Sequence, residues 1–441
     1  MLSKTLDPVL RAAVLLAIVA LAVSGVWSAR GLYGDGAYFL LQILKTDGFW
    51  TTDPPRLFAN LILQAPVVAA LEAGVADLNG LIRLHSAALV VLPLAAWTGA
   101  LLVLFRSRCF WLLVWAFAAT YLDSGFFAAG EYNLTYAMAA LCAAILVQDG
   151  PLRTGGVVVL VALAAALTRS YEATVFLGPL LCGASLVRLV RRDDASAVTR
   201  TGLGLAAVLF VVGAAVAAWS ILSPSSPGNM AGAAAVKQVL RSPQVVYTCL
   251  MSIAVLVALV SRRPSSRRAA LIGAAVLSVV FVAMPMLWLP PDMHYLSRAV
   301  AGLGLFGILL VTIVWRFSAS LGWRPVAEPD AAVSGVALLL LGSLLIPFLV
   351  HTVGFRDWAR TFESEVTTRT GRVPIEATAV YRGGLFEGYN WPWTNPALSV
   401  LLRAGPASAV IINPVVYRGW QPDEQAHALA PRFARREPLF R

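Results

Sequence analysis

Long apolar runs separated by short polar segments recur along the chain. Runs of this length cross the ~30 Å hydrocarbon core of a bilayer as α-helices, and they differ from the short alternating segments of an outer-membrane barrel. We therefore predict an all-α polytopic membrane protein with about eleven transmembrane helices. The predicted spans cover residues 9–28, 81–105, 109–124, 133–149, 154–168, 173–190, 202–222, 244–261, 269–288, 296–315 and 332–353.

Two apolar segments between the first and second predicted spans do not fit a crossing. Segment 57–73 is interrupted by polar residues and a proline, and segment 37–46 is shorter. We predict that both are surface helices in the first outer loop. Because the chain becomes more polar after the last span, we also predict a transmembrane domain over residues 1–353 and a small C-terminal outer-face domain over residues 354–441.

Composition and charge support a membrane protein with a defined orientation. Hydrophobic residues make up 59% of the 441 residues and charged residues 13%, whereas soluble domains carry about 25% charged residues. The net charge of +11 comes largely from short loops, so we predict the lipid bilayer and no nucleic acid as a partner. With the N-terminus inside, the predicted inner segments hold 15 of the 34 Lys and Arg residues, against eight in the outer loops. The positive-inside rule therefore predicts a cytoplasmic N-terminus and a periplasmic C-terminus, as in a bacterial inner-membrane protein.

Ionisable residues gather at the predicted outer ends of several spans. Such residues are costly at membrane depth and are functional candidates by default. Taken singly, each also has a structural explanation, such as helix capping, a local ion pair or contact with lipid phosphates. Their recurrence on one face favours a site. The candidates are Asp35 and Arg56 in the first outer loop, Glu131 before the fourth span, Arg169 and Glu172 after the fifth, and His294 and Arg298 where the chain enters the tenth.

Carboxylates beside arginines suit group transfer from a phosphate-linked donor. A carboxylate deprotonates the acceptor hydroxyl as general base, and arginines hold the phosphate as its charge develops. The chain has no GxSxG motif and no nucleotide-binding glycine-rich loop. Its four cysteines lie in apolar runs at no metal-ligand spacing, and its four histidines form no HExxH pair, so no metal site is predicted. A lipid-borne donor would place its phosphate at the outer surface.

The motif Tyr33-Gly-Asp-Gly36 directly follows the first span and precedes the predicted surface helices. This arrangement resembles the GT-C superfamily of integral membrane glycosyltransferases, which use polyprenyl-phosphate-linked sugars. The resemblance implies hexosyl or pentosyl transfer in the cell envelope to a glycan, lipid or protein acceptor. It implies that Asp35 is the general base and that Glu131 is a candidate second acid. From position alone, the donor-binding candidates are Arg56, Arg169, Glu172, His294 and Arg298.

This chain departs from the commoner family pattern, because Asp35 is followed by Gly36 and not by a second acid. The sequence therefore indicates no cofactor, and a divalent cation is left open. A transporter or flippase of lipid-linked glycans is an alternative, although it should place ionisable residues near mid-membrane. A glycan polymerase or ligase is another, but that class usually carries its large loop between late spans. A purely structural membrane protein leaves the outer polar clusters unexplained.

Overall fold

The computed structural model is a bundle of apolar helices. It describes residues 6–51, 54–123, 130–191, 196–223, 243–283, 294–318, 331–381, 389–405, 407–413, 429, 431–433 and 437–440, with the backbone alone at 243, 294–299 and 431. The helices are α1 Leu6–Trp27, α2 Asp35–Thr46, α3 Leu57–Glu72, α4 Leu78–Val103, α5 Phe110–Phe117, α6 Glu131–Val147, α7 Thr154–Leu167, α8 Thr174–Val190, α9 Ala197–Leu222, α10 Pro243–Val260, α11 Pro264–Ala283, α12 His294–Phe317, α13 Ala331–Thr368 and α14 Asn395–Leu402. A π-helical turn, Ala118–Leu122, extends α5.

The composition of the helices identifies a polytopic membrane protein. Within the described residues, seven helices are long and apolar enough to cross a bilayer, and five shorter apolar helices accompany them. Large apolar side chains on their outward faces are exposed, for example Leu16 at 69%, Val23 at 64% and Val279 at 70%. Exposed apolar side chains on so many helices indicate lipid rather than water around the bundle. The predicted all-α polytopic class is confirmed at this level.

Helices α1 and α4 run antiparallel and define the two ends of the bundle. Near the start of α1, Arg11 Nη1 donates to the carbonyl oxygens of Phe105 (2.5 Å) and Ser107 (3.0 Å), just after α4 ends. After α1 ends, the backbone N–H of Gly31 donates to Ser86 Oγ near the start of α4 (3.1 Å). We call this second end, where α2 begins, the Asp35 end.

Helix α3 begins and finishes at the Asp35 end. Arg56 directly precedes it and pairs with Glu131, the first residue of α6. Its last residue, Glu72, leads through a short turn to α4, which also begins at this end. Although α3 is long and apolar enough to cross a membrane, both of its ends therefore lie at one level. This placement agrees with the surface helix predicted for segment 57–73.

The C-terminal part of the chain also packs at the Asp35 end. Helix α13 continues through residue 353 and, at ~57 Å, is longer than the ~30 Å hydrocarbon core. Beyond it, strand β1 (Arg372–Pro374) pairs in parallel with β2 (Val410–Ile412). The buried carboxylate of Glu363 on α13 accepts the backbone N–H groups of Leu439 (2.8 Å) and Phe440 (3.1 Å). The terminal residues are thus attached to the protruding end of α13.

Candidate active site

Asp35 occupies a tightly constrained turn at the N-terminus of α2. Gly34 has φ +60°, a conformation that favours glycine. A Cβ on Gly36 would lie 1.9 Å from the Gly31 carbonyl oxygen, so residue 36 has no room for a side chain. His85 Nε2 donates to the Gly36 carbonyl (3.0 Å) from helix α4. The half-buried Asp35 carboxylate is therefore held in a fixed place at the N-terminus of α2.

The C-terminal segment covers this turn with aromatic rings. The Trp391 ring lies edge-on to Tyr33, with the ring centroids 6.1 Å apart. A Cβ on Gly34 would stand 3.2 Å from the Trp391 ring, which shows how closely the two segments approach. On the other side, Tyr33 contacts Phe355 of α13 at 5.4 Å between centroids. Burial raises the pKa of Tyr33 well above its ordinary value, so its phenol stays neutral.

Three of the predicted outer clusters meet at Arg56. Its Nη1 donates to Glu131 Oε1 at 2.6 Å, and its Nη2 and Nε lie 2.9 and 3.0 Å from Glu172 Oε1. The Glu131 side chain is 4% exposed, whereas those of Arg56 and Glu172 are 19% and 18% exposed. These residues come from the start of α3, the start of α6 and the turn between α7 and α8. The structure thus joins residues that are more than 100 positions apart in the sequence.

Arg169 and Glu172 do not share a helix face, because residues 168–173 form a turn. Among the described residues no ion pair joins Arg169 to Glu172, although they are only three positions apart, and Glu172 binds Arg56 instead. Arg169 Nε donates to the Pro54 carbonyl (2.9 Å), and the Arg169 carbonyl accepts the N–H of Phe58 (2.8 Å). Within the described residues, the terminal guanidinium nitrogens of Arg169 make no hydrogen bond. They remain available to a ligand.

A tyrosine cluster connects the Arg56 group to the Asp35 turn. Tyr132, Tyr136 and Tyr171 pack with ring centroids 5.8 to 6.1 Å apart. The Arg56 guanidinium lies 5.0 Å from the Tyr171 ring centroid, within cation–π range. Tyr33 interacts electrostatically with both Tyr132 and Asp35. Asp35, the tyrosines and the Arg56 group are therefore parts of one polar and aromatic region.

Arg30 lies beneath this region and is absent from the sequence-based candidates. It is 2% exposed and its guanidinium is 4.4 Å from the Phe348 ring centroid. Burial lowers the pKa of Arg30, while the neighbouring phenols of Tyr121, Tyr132 and Tyr33 oppose that shift. The sequence does show that Arg30 directly follows the first apolar run. From the sequence alone, this residue was used only as one of the eight basic residues of the outer loops.

Asp123 is a second buried ionisable residue that the sequence reasoning missed. It follows the π-helical turn at the end of α5 and is 2% exposed. Thr248 Oγ1 donates to its carboxylate (3.0 Å), and Gln244 Nε2 donates to its backbone carbonyl (2.6 Å). Both partners lie on α10. An acid inside the apolar run 109–124 was the signal that could have identified it.

Two further candidates can be placed only by their backbone. His294 and Arg298 lie in the first turns of α12, and their side chains fall outside the described residues. The same helix reaches the tyrosine cluster, because a Cβ on Gly302 would lie 2.5 Å from the Tyr136 hydroxyl. Among the residues that the structure describes, no group of three or more His, Cys, Asp or Glu side chains could hold a metal ion.

No protein family model, curated protein or solved structure matches this chain. A functional assignment therefore depends on the geometry of the Asp35 end. That geometry offers one half-buried carboxylate in a rigid turn, two further carboxylates held by a guanidinium, and a second arginine with available donors.

Proposed function

We propose that the chain is a membrane glycosyltransferase of the GT-C type, which moves a hexosyl or pentosyl group from a polyprenyl-phosphate donor to an acceptor hydroxyl. The acceptor is a glycan, a lipid or a protein of the cell envelope. The observation that carries this proposal is the convergence of Arg56, Glu131 and Glu172 beside the Asp35 turn. Separate capping roles would not bring these residues together from three parts of the chain.

In the proposed reaction, Asp35 is the general base. The acceptor oxygen forms a bond to the anomeric carbon of the sugar, and the bond from that carbon to the phosphate oxygen breaks. Polyprenyl phosphate leaves with the bonding electron pair, and the acceptor proton passes to the Asp35 carboxylate. The rigid Gly34 and Gly36 backbone supports this role because a base must be held within hydrogen-bond reach of the proton it removes.

The two arginines take different roles in this proposal. Arg56 is already compensated by two carboxylates, so the three side chains together carry one negative charge. We assign Arg56 to positioning Glu131 and Glu172, whose oxygens are suited to sugar hydroxyls. Arg169 offers unused donors on the same face and is the better ligand for the donor phosphate. His294 and Arg298 stay candidates for the phosphate from their place at the start of α12.

The proposed topology has eleven crossings, made by α1 and by α4 to α13. The N-terminus is cytoplasmic, and the Asp35 end and C-terminal segment face the periplasm of a bacterial inner membrane. Two structural observations support this arrangement. The carboxylate of Asp47 pairs with Arg432 of the terminal segment, and Asn79 Nδ2 donates to the Glu437 carbonyl (2.9 Å). The C-terminal segment and the first loop must then lie on one side.

A transporter or flippase of lipid-linked glycan is the second candidate. The observation in its favour is the burial of Arg30 and Asp123, since ionisable side chains within a helical bundle often mark a pathway. Both residues lie at helix ends near the Asp35 turn and not at the centres of helices. This position favours an enzyme whose active site opens at one face.

Variants of two acids in the same loop test the enzyme. The purified protein in nanodiscs is incubated with radiolabelled polyprenyl-phosphate hexoses and pentoses and a membrane extract as acceptor. Release of polyprenyl phosphate is then measured. We expect Asp35→Asn to lower transfer at least a hundredfold, because a general base contributes about 10²–10⁴-fold. The matched control is Asp47→Asn, since Asp47 is exposed and its φ of 50° suits asparagine. Equal activity of the two variants would remove Asp35 from the mechanism.

A further inference from the structure

Helix α2 has one buried face and one open face, and Asp35 begins the open face. The buried positions of the helix are 36, 37, 40, 41, 43 and 44. Its partly exposed positions follow one another at intervals of three, one, three and three residues, which places them on a single side of the helix. They are Asp35, Tyr38, Phe39, Gln42 and Lys45, and we call them the α2 stripe.

Aromatic rings gather on the α2 stripe. The Trp50 ring centroid lies 5.4 Å from that of Tyr38 and 5.6 Å from that of Phe39. The Trp393 ring, from the C-terminal segment, lies 5.2 Å from Tyr38. All four residues remain partly exposed. Because Tyr38 and Phe39 lie one helical turn from Asp35, a ligand with a hydroxyl at Asp35 would extend over these rings.

A buried glutamine fixes the position of Trp50. Gln64 of α3 is 4% exposed. Its Oε1 accepts the Trp50 backbone N–H (2.9 Å), and its Nε2 donates to the Trp50 carbonyl (2.8 Å). This reciprocal pairing satisfies both backbone groups of a loop residue while the indole ring packs on the α2 stripe. A ring that is held before binding loses little conformational entropy when a ligand arrives.

The α2 stripe also carries polar side chains beside the rings. Within the described residues, the side chains of Gln42 and Lys45 make no hydrogen bond or ion pair. An acyl or isoprenoid chain would cover these groups without pairing them, which costs free energy. A sugar ring suits both parts of the stripe. Its C–H face packs on the negative face of an aromatic ring, and its hydroxyls pair with amide, ammonium and carboxylate groups.

We propose that the α2 stripe, together with Trp50 and Trp393, binds the acceptor and that this acceptor is a glycan. This inference rests on the proposed function, in which Asp35 removes the proton of an acceptor hydroxyl. It narrows the acceptor from a glycan, a lipid or a protein to a carbohydrate chain. The sugar with the reacting hydroxyl lies at Asp35, and the neighbouring sugar of the glycan lies on the rings of Tyr38, Phe39 and Trp50.

Saturation-transfer difference NMR on the full-length protein in nanodiscs measures glycan binding without transfer. Water-soluble oligosaccharides released from the cell envelope are titrated as the probe, and the aromatic protons of the protein are irradiated. We expect saturation to reach the C–H protons of the sugars. Trp50→Ala should weaken binding about fivefold, the ratio that corresponds to about 1 kcal/mol for one aromatic contact. Gln42→Ala, which leaves the rings in place, should weaken it by about the same ratio through the loss of one hydrogen bond.

The matched control is Phe49→Ala. Phe49 is 45% exposed and directly precedes Trp50, but among the described residues it makes no ring contact. Phe49→Ala should bind the oligosaccharides like the unmodified protein, which would exclude a general effect of interfacial aromatic surface. Equal binding by Trp50→Ala and Phe49→Ala would overturn the proposal, and Gln42→Ala decides by the same comparison if Trp50→Ala does not fold. Loss of the sugar signal on addition of a soluble short-chain phosphatidylglycerol would assign the rings to lipid instead.

Transfer to separated acceptors distinguishes the glycan assignment from the proposed function itself. The membrane extract is divided into oligosaccharide, lipid and peptide fractions, and each receives the radiolabelled donors. We expect label in the oligosaccharides alone, with an acceptor KM about fivefold higher in Trp50→Ala and an unchanged donor KM. Label only in the lipid or peptide fraction would overturn the glycan assignment and keep the enzyme. Sugar binding without label in any fraction would overturn the transferase, and with it the acceptor role of the bound glycan.

Discussion

The Arg56 group makes a specific prediction about stability. Replacing Arg56 with Gln removes the guanidinium that faces both Glu131 and Glu172. The Glu131 carboxylate is 4% exposed and would lose its charged partner inside the protein. Removing one partner of a buried ion pair costs about 3–5 kcal/mol. Because Arg56 and Glu172 are each nearly one-fifth exposed, water offsets part of this cost. We expect Arg56→Gln to lower the free energy of unfolding by about 3 kcal/mol.

The two carboxylates should differ in their effect. Glu131→Gln replaces an ion pair at 2.6 Å with a hydrogen bond from the charged Arg56 to a neutral amide oxygen at a buried position, and we expect a cost of about 1.5 kcal/mol. Glu172→Gln leaves the Arg56–Glu131 pair intact at a partly exposed position, so its cost should stay below about 1 kcal/mol. The expected order of destabilisation is therefore Arg56→Gln, then Glu131→Gln, then Glu172→Gln.

Reversible unfolding in mixed micelles of mild detergent and sodium dodecyl sulfate measures these free energies. The double variant Arg56→Gln/Glu131→Gln completes a mutant cycle, in which residues of one ion-pair network couple by about 0.5–3 kcal/mol. We expect the double variant to be more stable than the sum of the single effects predicts, by at least 1 kcal/mol. The reasoning is refuted if Arg56→Gln is no more destabilising than Glu172→Gln, or if the single effects simply add.

Three further predictions concern the turn, the donor phosphate and the topology. Gly36→Ala should destabilise the protein by about 1–3 kcal/mol, because its Cβ meets backbone at 1.9 Å, whereas Gly48→Ala, whose nearest contact is 3.9 Å, should have little effect in the same unfolding assay. Arg169→Ala should raise the donor KM roughly tenfold, as expected for loss of a charged hydrogen bond, with the acceptor KM unchanged; an equal rise in both would indicate a structural role. A tag after Arg441 should be cleaved by protease added to the periplasmic side, while a tag inserted between Arg262 and Arg263 should be protected, and the reverse pattern would overturn the orientation.

Hydropathy predicted where the apolar helices lie, because a run of apolar residues long enough to cross a bilayer is itself visible in the sequence. The span predicted at 133–149 is α6, Glu131–Val147, and that predicted at 81–105 is α4, Leu78–Val103. The last span illustrates where hydropathy stops being sufficient. It was predicted to finish at residue 353, but α13 continues to Thr368. Its extension buries a separate face, with Phe355, Trp358 and Phe362 in contact with one another, against the C-terminal segment.

The candidate residues could be predicted from the sequence, but their partners could not. Ionisable residues at the ends of apolar runs can be recognised from the sequence alone, which is why Arg56, Glu131 and Glu172 were chosen. Their contacts depend on which helices are neighbours, and no local pattern encodes that. The spacing of Arg169 and Glu172 alone would suggest an ion pair between them. The turn that they occupy instead brings the Glu172 carboxylate to Arg56. The tyrosines were not chosen because they carry no charge, and the sequence does not show that Tyr132, Tyr136 and Tyr171 pack together.

The packing around Gly36 gives a physical reason for the single acid in the first-loop motif. A second carboxylate at position 36 would have to occupy the space of the Gly31 carbonyl oxygen. The sharp turn that brings Asp35 to the N-terminus of α2 therefore excludes a neighbouring acid. If transfer needs another carboxylate, it must come from a different element. Glu131 is connected to the Asp35 turn through the tyrosine cluster, and Asp123 lies at the end of α5. Glu131→Gln and Asp123→Asn in the transfer assay would then separate these two sources.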